Sequence, residues 1–204
     1  MTSMRTVAAG VALLVVPFVS SCSSSGPSSS TEPSALTSSS PSSNTPTVAP
    51  DPGQDARSEA LALVPSYLRA IDDLYLDPSR ALDELYEVTV APEAAAQATA
   101  IAQFRSQGSR QTGRAQLVTA AAGEVDLTSE PGATPSPVLP TVVVTACVDV
   151  SQVQAVDSAG TSIVAPSRPD YLIEQLTIVN INYPDPASWR VSEAPNTQAQ
   201  TCDG

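Results

Sequence analysis

The spacing of apolar residues changes along the chain, from a helical period in its middle part to strand-like alternation after about residue 114. In residues 55–76, apolar side chains recur every three or four positions, which predicts a helix. Its apolar face carries Leu61, Val64, Leu68, Ile71 and Tyr75. Pro65 lies inside this run, so we expect either a kink there or a helix that begins near Val64.

Two further helices are predicted before the pattern changes. Asp77 is suited to cap a helix over residues 78–88, because Pro78 would occupy its first position. An alanine-rich helix is predicted over residues 92–104, with Gly108 as its stop signal.

Strands follow the helices. One is predicted over residues 114–127, with one face formed by Ala115, Leu117, Thr119, Ala121 and Val125. A strand rich in β-branched residues spans 140–150 and is expected to continue through Val156. Residues 171–183 and 189–191 complete the set. Helices first and strands second predict an α+β domain, with helices packed on one face of a mostly antiparallel sheet.

The N-terminus carries a different signal. Residues 6–19 contain no charge, and this apolar stretch ends at Ser20-Ser21-Cys22. The stretch is shorter than the roughly 20 residues of a transmembrane helix. It resembles a bacterial lipobox, which implies a signal peptide over residues 1–21 and acyl chains such as palmitate on Cys22. An uncleaved anchor, or a secretory signal with an incidental cysteine, is the alternative interpretation.

The segment after Cys22 has the composition of a spacer. Between Ser23 and Pro50, 21 of 28 residues are Ser, Thr or Pro, and Glu32 carries the only charge. Such a segment has almost nothing to bury, so residues 22–54 are predicted to be a disordered tether. O-glycosylation of this tether is a further hypothesis. The folded domain is then predicted over residues 55–204, on the extracytoplasmic face of the cell membrane.

Charge and cysteine content narrow the possible partners. The chain has 21 acidic residues against 9 basic ones, all arginine, and no histidine. This balance argues against a nucleic-acid partner and leaves membrane attachment to the lipid on Cys22. Cys147 and Cys202 are predicted to form a disulfide in the oxidising exported location. A reactive thiol pair is the alternative, but the chain has no Cys-x-x-Cys motif.

Several of these features together resemble a known group of proteins. The lipobox, the tether, the strand Cys147-Val-Asp-Val-Ser151, the Trp189-x-Val191 strand and the late Cys202 are similar to small lipoproteins of actinobacteria and their phages. Those lipoproteins resemble the nuclear transport factor 2-like superfamily. The resemblance implies a cone of helices against a curved sheet, with an apolar cavity between them. It does not imply an activity, because the superfamily includes enzymes and non-catalytic modules.

Few residues are candidates for a site. Tyr67, Tyr171 and Glu174 are placed at the predicted cavity. Asp149 is expected on the strand face turned away from the helices, and Asp72-Asp73 on the polar side of the first helix. No metal, phosphate or nucleophile motif is present in the sequence, so no catalytic residue, metal or cofactor is predicted.

The sequence therefore favours a non-catalytic, membrane-tethered module that binds an envelope protein. If the chain is phage-encoded, exclusion of other phages becomes a possible role. A carrier or sensor of a small apolar ligand is the second hypothesis, and a histidine-free isomerase or hydrolase is the third.

Overall fold

The computed structural model of the protein describes residues 51–203. The predicted signal peptide, Cys22 and the tether up to residue 50 lie outside the described residues. The first helix, α1, spans Pro52–Leu76 and is capped by Asp51, whose carboxylate accepts a 2.9 Å hydrogen bond from the Gly53 N–H. Residues 51–54 therefore belong to the start of the helix rather than to the tether. The Asp-Pro pair supplies the cap and the preset first position.

Helix α1 continues through Pro65, so the alternative in which it begins near Val64 is wrong. Pro65 is exposed, which lets water reach the carbonyl that the proline leaves without its helical donor. The opposite side of α1 is fixed by burial of Ala56, Ala60, Val64 and Tyr67. Packing of this stripe compensates for the missing hydrogen bond.

The predicted second helix is the largest error in the helical part. Residues 82–87 form a short 3₁₀ helix, Leu82–Glu87, and Asp77 ends α1 instead of starting a new helix. The Asp77 N–H donates to the Asp73 carbonyl, while its carboxylate accepts from the Ser79 N–H at 2.9 Å. That local hydrogen bond favours a turn over a helix. The third predicted helix is confirmed as α2, Glu93–Ser106.

The described residues contain seven strands: β1 (Arg110–Thr112), β2 (Gln116–Asp126), β3 (Thr141–Asp149), β4 (Gln154–Val156), β5 (Tyr171–Asn180), β6 (Trp189–Glu193) and β7 (Asn196–Ala199). The main sheet has the order β2-β3-β5-β6, and β7 also pairs with β5. Every pairing between these strands is antiparallel. The short strands β1 and β4 form a separate two-stranded sheet. The predicted α+β class is confirmed.

Two details of the strands differ from the prediction. Register shifts interrupt the alternation of β2, so its partly buried residues are Leu117, Ala120, Ala122 and Val125, not Thr119 and Ala121. Each bulge inserts a residue and changes the side to which later side chains point. The long strand also stops at Asp149, whose carboxylate accepts from the Ser151 N–H at 2.8 Å and closes a turn.

The core lies between α1 and the inner face of the sheet. Alternate residues of β3 are buried there, as the pattern predicted: Val142, Val144, Ala146 and Val148. A second, smaller cluster joins the end of α1 to α2 through Leu74, Leu85 and Ile101. No helix within residues 51–203 has the length and apolar character needed to cross a bilayer.

Candidate ligand cavity

A cavity of about 190 Å³ opens between α1, α2 and the inner face of the sheet. Leu68 and Ile71 of α1 face Val148 of β3 and Leu172 of β5 across it. Six side chains with polar groups also line it: Tyr67, Asp72, Tyr75, Gln97, Gln111 and Glu174. The cavity is thus an apolar slot with polar groups on its wall, a combination common in small-molecule sites.

Tyr67 and Glu93 form a buried hydrogen-bonded pair beside the cavity. The Tyr67 hydroxyl donates to Glu93 Oε1 at 2.7 Å, and Gln97 Nε2 donates to the same oxygen at 2.8 Å. Glu93 lies in the first turn of α2, where the helix dipole favours a negative charge. Burial, followed by the hydrogen bond to Glu93, raises the pKa of Tyr67 far above its ordinary value. Tyr67 is therefore a neutral donor whose hydrogen is already used.

Glu174 is the least satisfied polar group of the cavity. It lies on β5 opposite Ala146 of β3, with its side chain on the inner face and only 8% exposed. Its Oε2 is buried and has no hydrogen-bond partner within the described part of the chain. Burial, with a smaller contribution from the charge of Glu93, raises the pKa of Glu174 to about 7.

Asp72 lines the same cavity, but both of its carboxylate oxygens accept hydrogen bonds. Its Oδ1 accepts from Gln111 Nε2 at 2.9 Å, and its Oδ2 accepts from the Ala115 N–H at 2.8 Å. Burial raises its pKa, while these hydrogen bonds oppose that rise. The neighbouring Asp73 points outward and pairs with Arg114 at 2.6 Å.

The assignment of both aspartates to the polar side of α1 was wrong for Asp72, which is 6% exposed. The sequence contained the signal that corrects it. Asp72 stands four residues after Leu68 and three before Tyr75, which puts it on the apolar face of the helix. Glu93 and Gln97, which lie four residues apart on α2, were also missed. Their alanine-rich surroundings hold little periodic signal.

The structure brings two of the three predicted cavity residues together. Tyr67 and Glu174 line the cavity, and Tyr171 does not. Because side chains alternate along a strand, residues three positions apart point to opposite faces. Tyr171 and Glu174 are both on β5, so only one of them can face the helices, and Glu174 does.

The predicted cysteine pair lies on the other face of the sheet. Cys147 of β3 forms a disulfide with Cys202, and their Cα atoms are 5.5 Å apart. The bond ties the segment after β7 to the central strand. Asp149 also lies away from the cavity, and its hydrogen bonds with Ser151 lower its pKa. Among residues 51–203 no cluster of three metal-ligating side chains is present.

No protein-family model matches the chain, and no curated protein sequence matches it. Some solved structures resemble its fold. One of them is the intermembrane space region of the chloroplast protein ARC6, with a TM-score of 0.47 and 11% sequence identity. The match covers 70% of this chain and 97% of that one. A likeness at this level says nothing about function.

Proposed function

We propose that the protein is a lipid-tethered, extracytoplasmic binding module that holds a small molecule in the cavity between α1 and the sheet. The observation that carries this proposal is Glu174, which lines the cavity and whose buried Oε2 has no hydrogen-bond partner among the described residues. A buried polar atom left without a hydrogen bond costs about 1–3 kcal/mol. A ligand that donates to this oxygen would remove that cost, so binding and stability are linked at this site.

The cavity favours a small molecule over a protein partner as the occupant. Three of its polar residues, Tyr67, Asp72 and Glu174, are buried, where a docking protein surface would not reach them. A volume of about 190 Å³ is below the range of drug-sized pockets, so the ligand is a small one. The polar wall also changes the earlier hypothesis of a purely apolar ligand, because the bound molecule needs a hydrogen-bond donor.

Catalysis is less well supported than binding. A carboxyl group with a pKa of about 7 is suited to acid–base chemistry, and Glu174 has one. Tyr67 lines the same cavity, but its hydroxyl hydrogen goes to Glu93 at 2.7 Å and is not free for a substrate. We therefore propose that the module is not an enzyme.

The membrane location rests on the sequence. The lipobox and the Ser/Thr/Pro segment support a lipid on Cys22 and a domain held at a distance from the bilayer. The nuclear transport factor 2-like relationship is likewise proposed from the sequence, and helices over one face of an antiparallel sheet agree with it. Partition of the exported protein into a detergent phase tests the lipid, and Cys22→Ala should abolish it.

Native mass spectrometry of the full chain, exported and purified with its disulfide intact, tests the ligand. We expect a small molecule to co-purify. Ala115→Phe places a ring in the cavity and should abolish the bound mass. Ala121→Phe is the matched control, because Ala121 is exposed on β2 and does not line the cavity. Equal retention of the ligand by both variants contradicts the cavity as its site.

A further inference from the structure

We propose that the ligand is a small organic cation, a protonated amine with a short apolar body, whose ammonium group is held at Glu174. This inference rests on the proposed ligand-binding function and names the chemical class of the ligand. It follows from the charge, the free hydrogen-bonding capacity and the size of the cavity, taken in turn below.

The charge of the cavity wall is negative. Asp72 and Glu174 line it, and Glu93 lies behind Tyr67. Among the described residues, no arginine lines this cavity, and the chain contains no lysine. Arg114 is the nearby cation that acts on Asp72, but its guanidinium is bound to Asp73 at 2.6 Å. An anionic ligand would be repelled here, whereas a cation would be attracted.

The free hydrogen-bonding capacity points the same way. The Tyr67 hydroxyl and Gln97 Nε2 both donate to Glu93, and Gln111 Nε2 donates to Asp72. Glu174 Oε2 has no hydrogen-bond partner among the described residues. A ligand that donates to the Glu174 carboxylate would supply one, and an ammonium donor to a carboxylate forms the stronger, charge-assisted kind of hydrogen bond.

The walls and the volume limit the rest of the ligand. Leu68, Ile71, Val148 and Leu172 offer apolar surface, and Tyr67 and Tyr75 add two aromatic rings, which attract cations through their faces. The volume of about 190 Å³ suits a small molecule rather than a drug-sized one. An alkyl chain of a few carbons fills such a space and leaves the charged end for Glu174.

Three probes of one size separate the classes: n-butylammonium, 1-butanol and butyrate. Each is titrated into the full chain at pH 8, with binding followed by NMR shifts of the Glu174 carboxyl carbon and of the cavity methyl groups. We expect n-butylammonium to bind about tenfold or more tightly than 1-butanol, and butyrate not to bind. Equal binding of ammonium and alcohol overturns the assignment of a cation.

Glu174→Gln keeps the shape of the side chain and removes its charge. We expect it to weaken n-butylammonium about 10- to 100-fold and to leave 1-butanol within about threefold. Glu124→Gln is the matched control, since Glu124 is an exposed carboxylate on β2 and should bind like the wild type. If Glu174→Gln binds n-butylammonium like the wild type, the ammonium is not held at Glu174.

The pH dependence gives an independent readout. The titratable groups that interact with Glu174 are Glu93 from α2 and Tyr67 from α1, and Asp72 and Tyr75 from α1 line the same cavity. Since Glu174 ionises near pH 7, affinity for n-butylammonium should rise about tenfold from pH 6 to pH 8 in the wild type. It should stay nearly flat in Glu174→Gln. A pH-independent wild type contradicts the inference.

The two proposals fail in different ways. If 1-butanol binds in the cavity as well as the ammonium does, the cation class is wrong and the binding module stands. If none of the probes shifts the cavity signals and the exported chain carries no small molecule, the binding function itself is wrong.

Discussion

The two faces of the sheet treat acidic residues in opposite ways. On the inner face, Glu174 is buried with one oxygen unpaired, and its pKa is raised to about 7. On the outer face, Asp149 accepts a hydrogen bond from the Ser151 N–H at 2.8 Å, and its pKa is lowered. Asp149 ends β3, where the following turn supplies a donor to its carboxylate, whereas Glu174 lies within β5 on the side of the helices. The outer face carries the disulfide, whereas the inner face carries both the apolar core and an unsatisfied carboxylate at the cavity.

Loss of the outer-face disulfide is the largest expected change. Cys147 and Cys202 are 55 residues apart, and a loop of that size stabilises by about 4 kcal/mol in the chain-entropy description. Cys147→Ser with Cys202→Ser should lower the free energy of unfolding by about that amount, measured by denaturant titration. Binding in the cavity should survive wherever the protein remains folded. A double variant that is folded but no longer binds contradicts the division of roles between the faces.

The buried Glu174 on the inner face should make the free energy of unfolding depend on pH. The pKa of Glu174 rises from an ordinary 4.5 to about 7 on folding, so the protonated form is favoured in the folded state. The contribution of Glu174 to the free energy of unfolding is therefore fully present below pH 4.5 and is lost as pH rises through about 7. The free energy of unfolding changes by about 3 kcal/mol over this range.

Glu174→Gln should therefore be more stable than the wild type at pH 8, with the two converging at pH 4. Denaturant titrations at both values of pH measure this, and Glu124→Gln should follow the wild type. An unchanged difference between pH 4 and pH 8 contradicts the buried, unpaired state of Glu174.

A third prediction compares the buried Asp72 with its partly exposed neighbour Asp73. Asp72→Ala leaves Gln111 and the Ala115 N–H without their acceptor, so we expect a loss of about 2 kcal/mol in the free energy of unfolding. Asp73→Ala, one position along α1, removes only surface ion pairs and should cost less than about 1 kcal/mol. Equal costs for the two variants indicate that Asp72 is not a structural carboxylate.

Asp149→Asn should give the smallest change of the four. Its hydrogen bonds with Ser151 lower the pKa of Asp149, so the stability it adds is present above its ordinary pKa near 3.8 and is lost only in acid. At pH 7 the asparagine can still accept from the Ser151 N–H. The NMR titration of Glu174 should be identical in this variant, and a shifted titration contradicts the separation of the two faces.

The sequence was most reliable where side chains repeat with a clear period. The alternation of β3 predicted which of its residues are buried, and the order of elements predicted the α+β class. Of the five residues predicted on the apolar face of α1, Val64 is buried and the other four are partly buried. Prediction from the sequence was least reliable where the same residue is compatible with two local structures, such as a helix N-cap and a turn. Asp77 before Pro78 suits a helix cap, yet the guanidinium of Arg105, 28 residues away on α2, donates to the carbonyls of Leu74, Asp77 and Arg80 and closes a turn there.

What the sequence determined by itself is local: the helical and strand periods and the Ser/Thr/Pro composition of residues 23–50. The cysteine pair was also predicted, from the number of cysteines and from the location that the lipobox resemblance implies. Only the tertiary structure decided the cavity, because Tyr67, Glu93 and Glu174 come from three elements far apart in the chain. Their burial, hydrogen bonds and pKa values depend on how α1, α2 and β5 pack together. Contacts between elements so far apart in the chain leave no repeating pattern in the sequence.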